Sequence, residues 1–171
     1  MSGAVRRFPL VQSDIIQQFL VTDESQLQDP VHQVLYRYWR SKHQEAGLPG
    51  RGDLDPVDFF PFLPSLMLVD VLDQEGRRRL RFRLMGSYHI EITGQDMTGK
   101  YFDEALTQEA DRDRIISRYA TAVDLKTPHY WKRNFWCPEK RWRYYQSIIL
   151  PLASDGTNVD MILSVVAFEG Q

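Results

Sequence analysis

The sequence of 171 residues is poor in cysteine, in long hydrophobic runs and in net charge. Its single Cys137 excludes an intrachain disulfide and an all-cysteine metal site, which is typical of a reducing compartment. No apolar run approaches the roughly 18 residues that cross a bilayer, and the first residues lack the apolar core of a signal peptide. A formal net charge of -2 does not suit a surface built for nucleic acid. We therefore expect a soluble, cytoplasmic protein without a membrane span.

Motifs for nucleophilic catalysis, phosphate binding and metal binding are also missing. There is no G-x-S-x-G sequence, and residues 98–100, T-G-K, lack the glycine-lysine-hydroxyl order of a phosphate loop. The histidines show no metal-binding spacing. His89 is the best-placed candidate for haem ligation, but the sequence offers no second ligand at a telling distance. We therefore interpret His89 as a hydrogen-bonded or surface histidine and expect no metal site.

The N-terminal part of the chain carries two amphipathic helix patterns. Residues 1–28 read as a partly helical extension, with a short predicted helix over residues 13–20, and residues 29–171 read as a single domain. A longer helix is predicted over residues 29–46, because Asp29 is a good N-cap and a proline follows it. Small apolar faces need a docking partner, either the domain or a second copy of the chain. The residues expected to form this partner or dimer interface are Ile15, Phe19, Val34, Tyr38 and Trp39.

The remaining segments predict an antiparallel sheet. Strand patterns cover residues 65–73, 77–85, 129–136, 141–150 and 159–168, and a helix pattern covers residues 106–125. In the second strand, Leu80, Phe82 and Leu84 alternate with three arginines, so one face is buried. The last strand is apolar on both parities, which favours a central position. The pattern predicts an α+β fold with a five-stranded antiparallel sheet, helices on one face and an N-terminal helical extension.

Aromatic residues occupy both parities of the strands predicted at 129–136 and 141–150. They therefore lie on both faces of the sheet. One set can form the core and the floor of a pocket. The other set must be covered by the helix at 29–46 or by a second subunit, because large bare aromatic patches are uncommon on monomers.

A short segment after the second strand predicts one wall of a pocket. Gly86 allows the chain to turn under the sheet, and Ser87 is a candidate cap for a short helix. This helix would carry Tyr88, His89 and Ile92 across the concave face and would end at a glycine. The arrangement predicts an empty space beneath residues 88–92.

Several segments resemble a bacterial family of single-domain PAS-like proteins, the PAS family 5 type. They are YRYWRSK, DLDPVDFFPFLPSLMLVDV, RFRLMGSYHIEITGQDMTGKYFDE and the late ILPL and DG. The resemblance spans roughly residues 30–168, and residues 94–99 are its most specific part. It implies a PAS-like fold and a sensory or protein-interaction module without established catalysis. PAS-like domains bind haem, flavin, small acids or nothing, so the cofactor stays unknown, with neither haem nor flavin indicated.

The expected function is that of a non-catalytic sensory or adaptor domain in bacterial signalling. Its expected partners are an unidentified small molecule, a signalling protein and a second copy of the chain, whereas nucleic acid is not expected. Ligand binding would shift the docking of the N-terminal helices. The expected ligand-binding residues are Leu84, Tyr88, His89, Ile92, Tyr119, Trp131, Trp142 and Tyr144.

Three alternatives remain open at this stage. A small enzyme could use the same cavity, with His89 and Glu91 as its adjacent acid-base candidates. A cyclic-dinucleotide module could use the arginine-rich hairpin, in which Arg77 and Arg81 have an R-x-x-x-R spacing. The accompanying D/N-x-S-x-x-G element is not evident, so a solvated sheet face is the interpretation we prefer there. A structural interaction protein with a filled core is the third alternative.

Overall fold

The computed structural model describes residues 15–43, 45, 47–137 and 142–170. Within them the chain forms a six-stranded antiparallel sheet with the strand order β1-β4-β5-β6-β2-β3. The strands are β1 (Ile15–Leu20), β2 (Leu66–Gln74), β3 (Arg77–Met85), β4 (His129–Cys137), β5 (Trp142–Leu152) and β6 (Met161–Gly170). The α-helices are α1 (Pro30–Ser41), α2 (Ser87–Thr93), α3 (Phe102–Ala105) and α4 (Glu109–Leu125). The described 3₁₀ helices are Glu24–Gln26, Arg51–Asp53 and Pro56–Ser65.

Helix α1 covers one face of the sheet. The carboxylate of Asp29 accepts hydrogen bonds from the first backbone N–H groups of the helix, and Pro30 occupies its first turn, as the sequence predicts. The helix ends at Ser41, before the predicted limit at residue 46. Leu35 and Trp39 are 2% exposed and pack against β5 and β6. The indole N–H of Trp39 also donates to the carbonyl of Pro151 across 2.9 Å, which fixes α1 to the sheet.

The opposite face is covered by α2, α3 and α4. Phe102 of α3 stacks on Phe82 of β3 with ring centroids 4.2 Å apart, and Ile149 and Ile162 are fully buried beneath these helices. Helices therefore cover both faces, whereas the prediction placed them on one. The second layer is α1, one of the two covers that the aromatic pattern allowed. Strand β6 lies in the interior of the sheet, as its two apolar parities predict.

The predicted helix at residues 13–20 is wrong. Residues Ile15–Leu20 form strand β1, which pairs antiparallel with β4 and makes the sheet six-stranded instead of five-stranded. An edge strand offers unpaired backbone groups, and a segment rich in isoleucine and phenylalanine can complete that ladder despite its helical pattern. Phe19 stacks on Tyr130 of β4 at 4.7 Å between ring centroids, which anchors the added strand. Residue 13, where the helix was predicted to begin, lies outside the described residues.

A β-bulge overturns the predicted orientation of Leu84. Leu68 pairs with Leu84 but Val69 pairs with Phe82, so Arg83 is an extra residue on β3. Beyond the bulge the alternation changes parity. Phe82 is 3% exposed and Leu84 is 42% exposed. The buried position passes to Met85, so Leu84 does not face the helical side where a pocket was predicted.

Two other boundaries differ from the prediction. The helix predicted at 106–125 begins at Glu109, and a separate short helix, α3, precedes it at Phe102–Ala105. Ser87 does not cap α2, because Gly86 is the N-cap and makes no side-chain hydrogen bond. A Cβ atom added to Gly86 would lie 2.4 Å from the carbonyl oxygen of Leu63. Glycine is therefore needed for this close approach of two backbones.

Candidate functional site

A group of polar and aromatic residues lies in the core between α4 and the sheet. Side chains of β4 and β5 alternate between the two faces, and the register places Trp131 opposite Ser147 and Arg133 opposite Tyr145 on the α4 side. Helix α4 adds Arg118 above them. All of these side chains are at most 8% exposed. The polar core cluster consists of Arg118, His129, Trp131, Arg133, Tyr145 and Ser147.

Arg118 is the centre of the polar core cluster. Its Nε donates to Nδ1 of His129 at 3.0 Å, and its Nη2 donates to the backbone oxygens of His129 and Ser147 at 2.9 and 2.6 Å. Its Nη1 reaches Oγ of Ser147 at 3.3 Å. These acceptors are all neutral, and within the described part of the chain Arg118 forms no ion pair. A guanidinium has about five N–H groups, so these four bonds leave one N–H group of Arg118 without an acceptor in the described structure.

The polar core cluster keeps a positive charge at neutral pH. Burial lowers the pKa of Arg118 to about 9, which still leaves the guanidinium protonated near pH 7. Burial and the nearby Arg118 charge lower the pKa of His129 to about 4, so this histidine is neutral. The bond from Arg118 agrees, because Nδ1 of His129 must be unprotonated to accept it. The cluster therefore holds one buried cation that a neutral histidine helps to solvate.

Arg133 and Trp131 carry buried donors that are not satisfied. Arg133 is 2% exposed, and its Nη2 donates to the carboxylate of Asp111 at 2.7 Å. Its Nε and the Nε1 of Trp131 are buried without a hydrogen-bond partner among the residues the structure describes. Both guanidinium groups contact the Trp131 ring, at 4.2 Å for Arg118 and 4.9 Å for Arg133. Most buried polar groups find a partner, so these two donors are candidates for binding an acceptor.

Four of the predicted ligand-binding residues lie on the α4 side in buried positions. They are His89, Ile92, Tyr119 and Trp131. Ile92 packs with Tyr145 of the polar core cluster, and burial raises the pKa of Tyr119 to about 12, which keeps its hydroxyl neutral. Tyr88 makes an edge-to-face contact with Phe168 at 5.5 Å. The predicted empty space beneath residues 88–92 stays a prediction, and Tyr145 packs against Ile92 there.

His89 has a structural hydrogen bond. Its Nε2 lies 3.0 Å from the backbone oxygen of Ser65, and because a carbonyl only accepts, Nε2 must carry the proton. Burial lowers the pKa of His89 to about 4. A protonated Nε2 engaged with the backbone cannot bind a metal, so this nitrogen does not fit a haem ligand. The interpretation of His89 as a hydrogen-bonded histidine agrees with this geometry.

Three of the predicted ligand-binding residues are not brought to the cluster by the described structure. Leu84 is exposed beyond the bulge. Tyr144 lies on the opposite face of β5, where the ammonium group of Lys132 is 4.8 Å from its ring centroid. Trp142 begins β5, and its side chain lies outside the description. The neighbouring Tyr145 takes the inward position that the sequence analysis gave to Tyr144.

Sequence reasoning missed the arginines of the cluster. Arg118 lies three positions after Ile115, which packs against the core, and therefore shares the inner side of α4. Arg133 has the same parity as Trp131 on β4. An arginine on an otherwise apolar inner side of the helix was the available signal for Arg118.

The arginine-rich hairpin is neutralised by carboxylates. Arg79 donates to Asp103 at 2.8 Å and to Glu104 at 2.7 Å, and Arg81 donates to Asp70 at 2.8 Å. The other described ion pairs of the hairpin are Arg77–Asp103, Arg78–Asp124 and Arg83–Asp70. A cavity of about 180 Å³ lies between this hairpin, α3 and α4. Carboxylates therefore engage Arg79 and Arg81, which does not favour a phosphate site at these two residues.

The residues predicted to form a partner interface lie in different environments. Trp39 is buried against β5, Phe19 stacks on Tyr130, and the Tyr38 hydroxyl accepts a hydrogen bond from the backbone of Asp55 at 3.0 Å. These contacts are within the chain. Val34 is 42% exposed and is available to a partner, and Ile15 is partly exposed.

The sequence analysis did not anticipate an exposed apolar surface on the 3₁₀ helix Pro56–Ser65. Val57, Phe60 and Leu63 are 77%, 74% and 41% exposed. Their spacing of three residues places them on one side of a 3₁₀ helix, which has about three residues per turn. We call these three residues the apolar ridge. Exposed aromatic and aliphatic groups on one line are typical of a protein contact.

The described part of the chain contains no group of three or more His, Cys, Asp or Glu side chains placed to hold a metal ion. None of its helices combines the length and the apolar character needed to span a membrane.

Comparison with protein families identifies the family of this chain. A family model described as PAS domain matches residues 27–167, close to the span on which the sequence resemblance was drawn. No curated protein and no solved structure matches the chain significantly.

Proposed function

The chain belongs to the PAS domain family, whose members are generally sensory or signalling domains, and from this premise we propose that it senses a small molecule bound at the polar core cluster. The ligand would lie between α4 and the strands β4 and β5. The single observation that supports this proposal most strongly is the buried Arg118 guanidinium, which has only neutral hydrogen-bond partners in the described structure.

The stability of the fold does not by itself explain the buried charge of Arg118. Burying an ion without a counter-ion costs several kcal/mol, and apolar residues of similar volume often stabilise a core at least as well. The adjoining hydrophobic core includes Ile149 and Ile162, both fully buried. A cation in that place is explained by a ligand that completes its interactions.

The sheet offers a route from the cluster to the opposite face. Ser147 belongs to the cluster, and the next residue of β5, Ile148, is fully buried in the core that α1 covers. A ligand that moves Ser147 through Arg118 would also move Ile148 and the packing of α1. We propose that the signal leaves the domain by this displacement of α1.

We propose that the domain acts by binding and not by catalysis. His89 and His129 are neutral at pH 7, because burial lowers the pKa of each to about 4. Effective general bases have pKa values closer to the working pH. Both rings are also engaged in hydrogen bonds within the fold. This arrangement supports a sensor over the enzyme alternative.

Native mass spectrometry tests the proposal. The full chain, incubated with a small-molecule extract of cells and then desalted, should carry an additional mass under native conditions. The same sample under denaturing conditions should show the chain alone. Equal masses in the two spectra would contradict small-molecule sensing.

A second candidate function, protein contact, is supported by the apolar ridge. We propose that the ridge of Val57, Phe60 and Leu63 packs against a second copy of the chain. Asp58 is exposed on the same 3₁₀ helix, and a twofold contact would place the ridges of two copies face to face. Apolar centres with charged rims are typical of such interfaces.

Analytical ultracentrifugation tests the second function. The wild-type chain should sediment as a dimer and the variant Phe60→Ser as a monomer. Phe60 is 74% exposed, so its replacement should leave the circular dichroism spectrum unchanged. The variant Leu125→Ser is a matched control, because Leu125 is 54% exposed at the end of α4, outside the ridge. A monomeric wild type, or a dimeric Phe60→Ser variant, would contradict the proposed contact.

A further inference from the structure

We propose that the ligand of the polar core cluster is a small organic monocarboxylate, bound by the donors of Arg118, Arg133 and Trp131. This inference rests on the proposed sensory function and specifies its ligand class. It follows from the kinds of atom that the cluster leaves without partners, from its charge and from the apolar groups around it.

The unsatisfied groups are all donors. Nε of Arg133 and Nε1 of Trp131 are buried without hydrogen-bond partners in the described structure, and Nη1 of Arg118 makes only the 3.3 Å bond to Ser147. Neither a guanidinium nor an indole can accept a hydrogen bond. The complementary ligand must therefore present acceptors. A carboxylate presents two acceptor oxygens and no donors.

The charge of the cluster favours a single negative charge. Arg118 and Arg133 contribute two positive charges, and Asp111, bonded to Arg133, contributes one negative charge. His129 is neutral, and the buried Tyr119 and Tyr145 hydroxyls keep their protons because burial raises their pKa values. One positive charge remains, and a monocarboxylate would neutralise it. A phosphate dianion would leave an uncompensated negative charge in the core.

Aromatic and aliphatic groups surround these donors. The Trp131 ring contacts both guanidinium groups, and Tyr145 packs with Ile92 and Val166. Planar apolar groups pack well against such rings. An aromatic monocarboxylate would place its carboxylate at the arginines and its ring against this surface. Benzoate is the simplest probe of that class.

Isothermal titration calorimetry of the full chain with benzoate tests the inference. Benzamide is the matched neutral probe, and inorganic phosphate is the matched anion of higher charge. We expect benzoate to bind, and benzamide and phosphate to bind at least about tenfold more weakly, as the loss of a charge-assisted hydrogen bond implies.

The variant Trp131→Phe tests the indole donor, because it keeps an aromatic ring and removes the unpaired N–H. We expect its benzoate affinity to fall about tenfold. Trp39→Phe is the matched control on the other face of the sheet, and it should bind benzoate as the wild type does. If Trp131→Phe does not fold, Arg133→Lys replaces it, because lysine keeps the charge and lacks the Nε–H group.

The outcomes separate the ligand class from the sensory function. Preferential binding of benzoate that depends on Trp131 supports the inference. Equal binding of benzoate and benzamide, preference for phosphate, or no binding of benzoate overturns the carboxylate class. An additional mass in the native spectrum would still support the sensory function in each of those cases, so the two proposals fail independently.

Discussion

The guanidinium carbon of Arg118 lies 4.2 Å from the centre of the Trp131 ring, in the interior of the protein. Arg118 is 5% exposed and Trp131 is 4% exposed, so this cation-π contact is formed away from water. Such contacts are worth about 2 kcal/mol when desolvated. That gain is smaller than the cost of burying a charge without a counter-ion. The ligand proposed for the polar core cluster would offset the rest of this cost.

Two tryptophan variants should differ in stability because only one indole is hydrogen-bonded. Trp39 donates to Pro151, whereas Nε1 of Trp131 has no partner in the described structure. Both variants to phenylalanine lose a similar buried area. Trp39→Phe should therefore be less stable than Trp131→Phe by about 1–2 kcal/mol, the value of a buried hydrogen bond. Urea unfolding of both proteins without ligand measures this difference, and equal free energies of unfolding would contradict it.

The variant Gly86→Ala should strongly destabilise the fold. The added Cβ would lie 2.4–2.6 Å from the backbone oxygens of Leu63, Pro64 and Leu66, and backbone atoms cannot move aside as a flexible side chain can. We expect a loss of about 3 kcal/mol or more in the free energy of unfolding. Gly52→Ala is the matched control, because nothing lies within 4 Å of its added Cβ. A stable Gly86→Ala variant would show that the turn between β3 and α2 is placed differently.

The strands and the longer helices could be predicted because local patterns and the final packing agree. The alternating apolar residues of β3 and the Asp29–Pro30 start of α1 specify the same structure at short and long range. Strand β1 could not be predicted in this way. Its segment has a helical apolar pattern. It forms a strand because it pairs with the free edge of β4, whose residues lie more than 100 positions later in the chain.

The candidate site was predicted only in part, for two physical reasons. The bulge at Arg83 reverses the parity of Leu84, and a bulge depends on the register with β2, which the sequence of β3 does not contain. Tyr144 and Tyr145 are adjacent aromatics with opposite orientations, so an error of one residue exchanges them. Trp131, His89 and Tyr119, which were also predicted to bind the ligand, lie in the interior.

The stability of the protein should fall when the pH falls from about 6.5 to about 4. Burial lowers the pKa values of His32, His89 and His129 to about 4 in the folded chain, whereas unfolded histidine has a pKa near 6.5. Between these values the unfolded chain binds more protons, so the free energy of unfolding rises with pH. Each fully depressed histidine contributes a slope of about 1.4 kcal/mol per pH unit.

The variant His89→Gln removes one of these three titrating groups and so measures its contribution. A glutamine amide can still donate to the carbonyl of Ser65 but does not titrate. Between pH 4 and 6.5, the free energy of unfolding should rise less steeply with pH than in the wild type. The difference in slope should be about 1.4 kcal/mol per pH unit, which corresponds to one proton. Urea titrations at a series of pH values measure it. An unchanged slope would mean that His89 is not the buried neutral group described.

Cyclic dinucleotides should not bind to the arginine-rich hairpin. Asp103 and Glu104 pair with Arg79, and Asp70 pairs with Arg81, so a phosphate would have to displace carboxylates. Titration of the full chain with a cyclic dinucleotide at physiological salt should give no heat of binding. Binding that is lost in the double variant Arg77→Gln/Arg81→Gln would contradict this expectation.

The NMR signal of the Trp131 indole N–H group measures most directly whether a carboxylate binds there, as we propose. The chain has four tryptophans, and the variants Trp131→Phe and Trp39→Phe assign two of the indole signals. On addition of benzoate, the Trp131 signal should move downfield and saturate, as expected for a new hydrogen bond to an anion, while the Trp39 signal stays in place. A Trp131 signal that does not respond to benzoate would contradict the account.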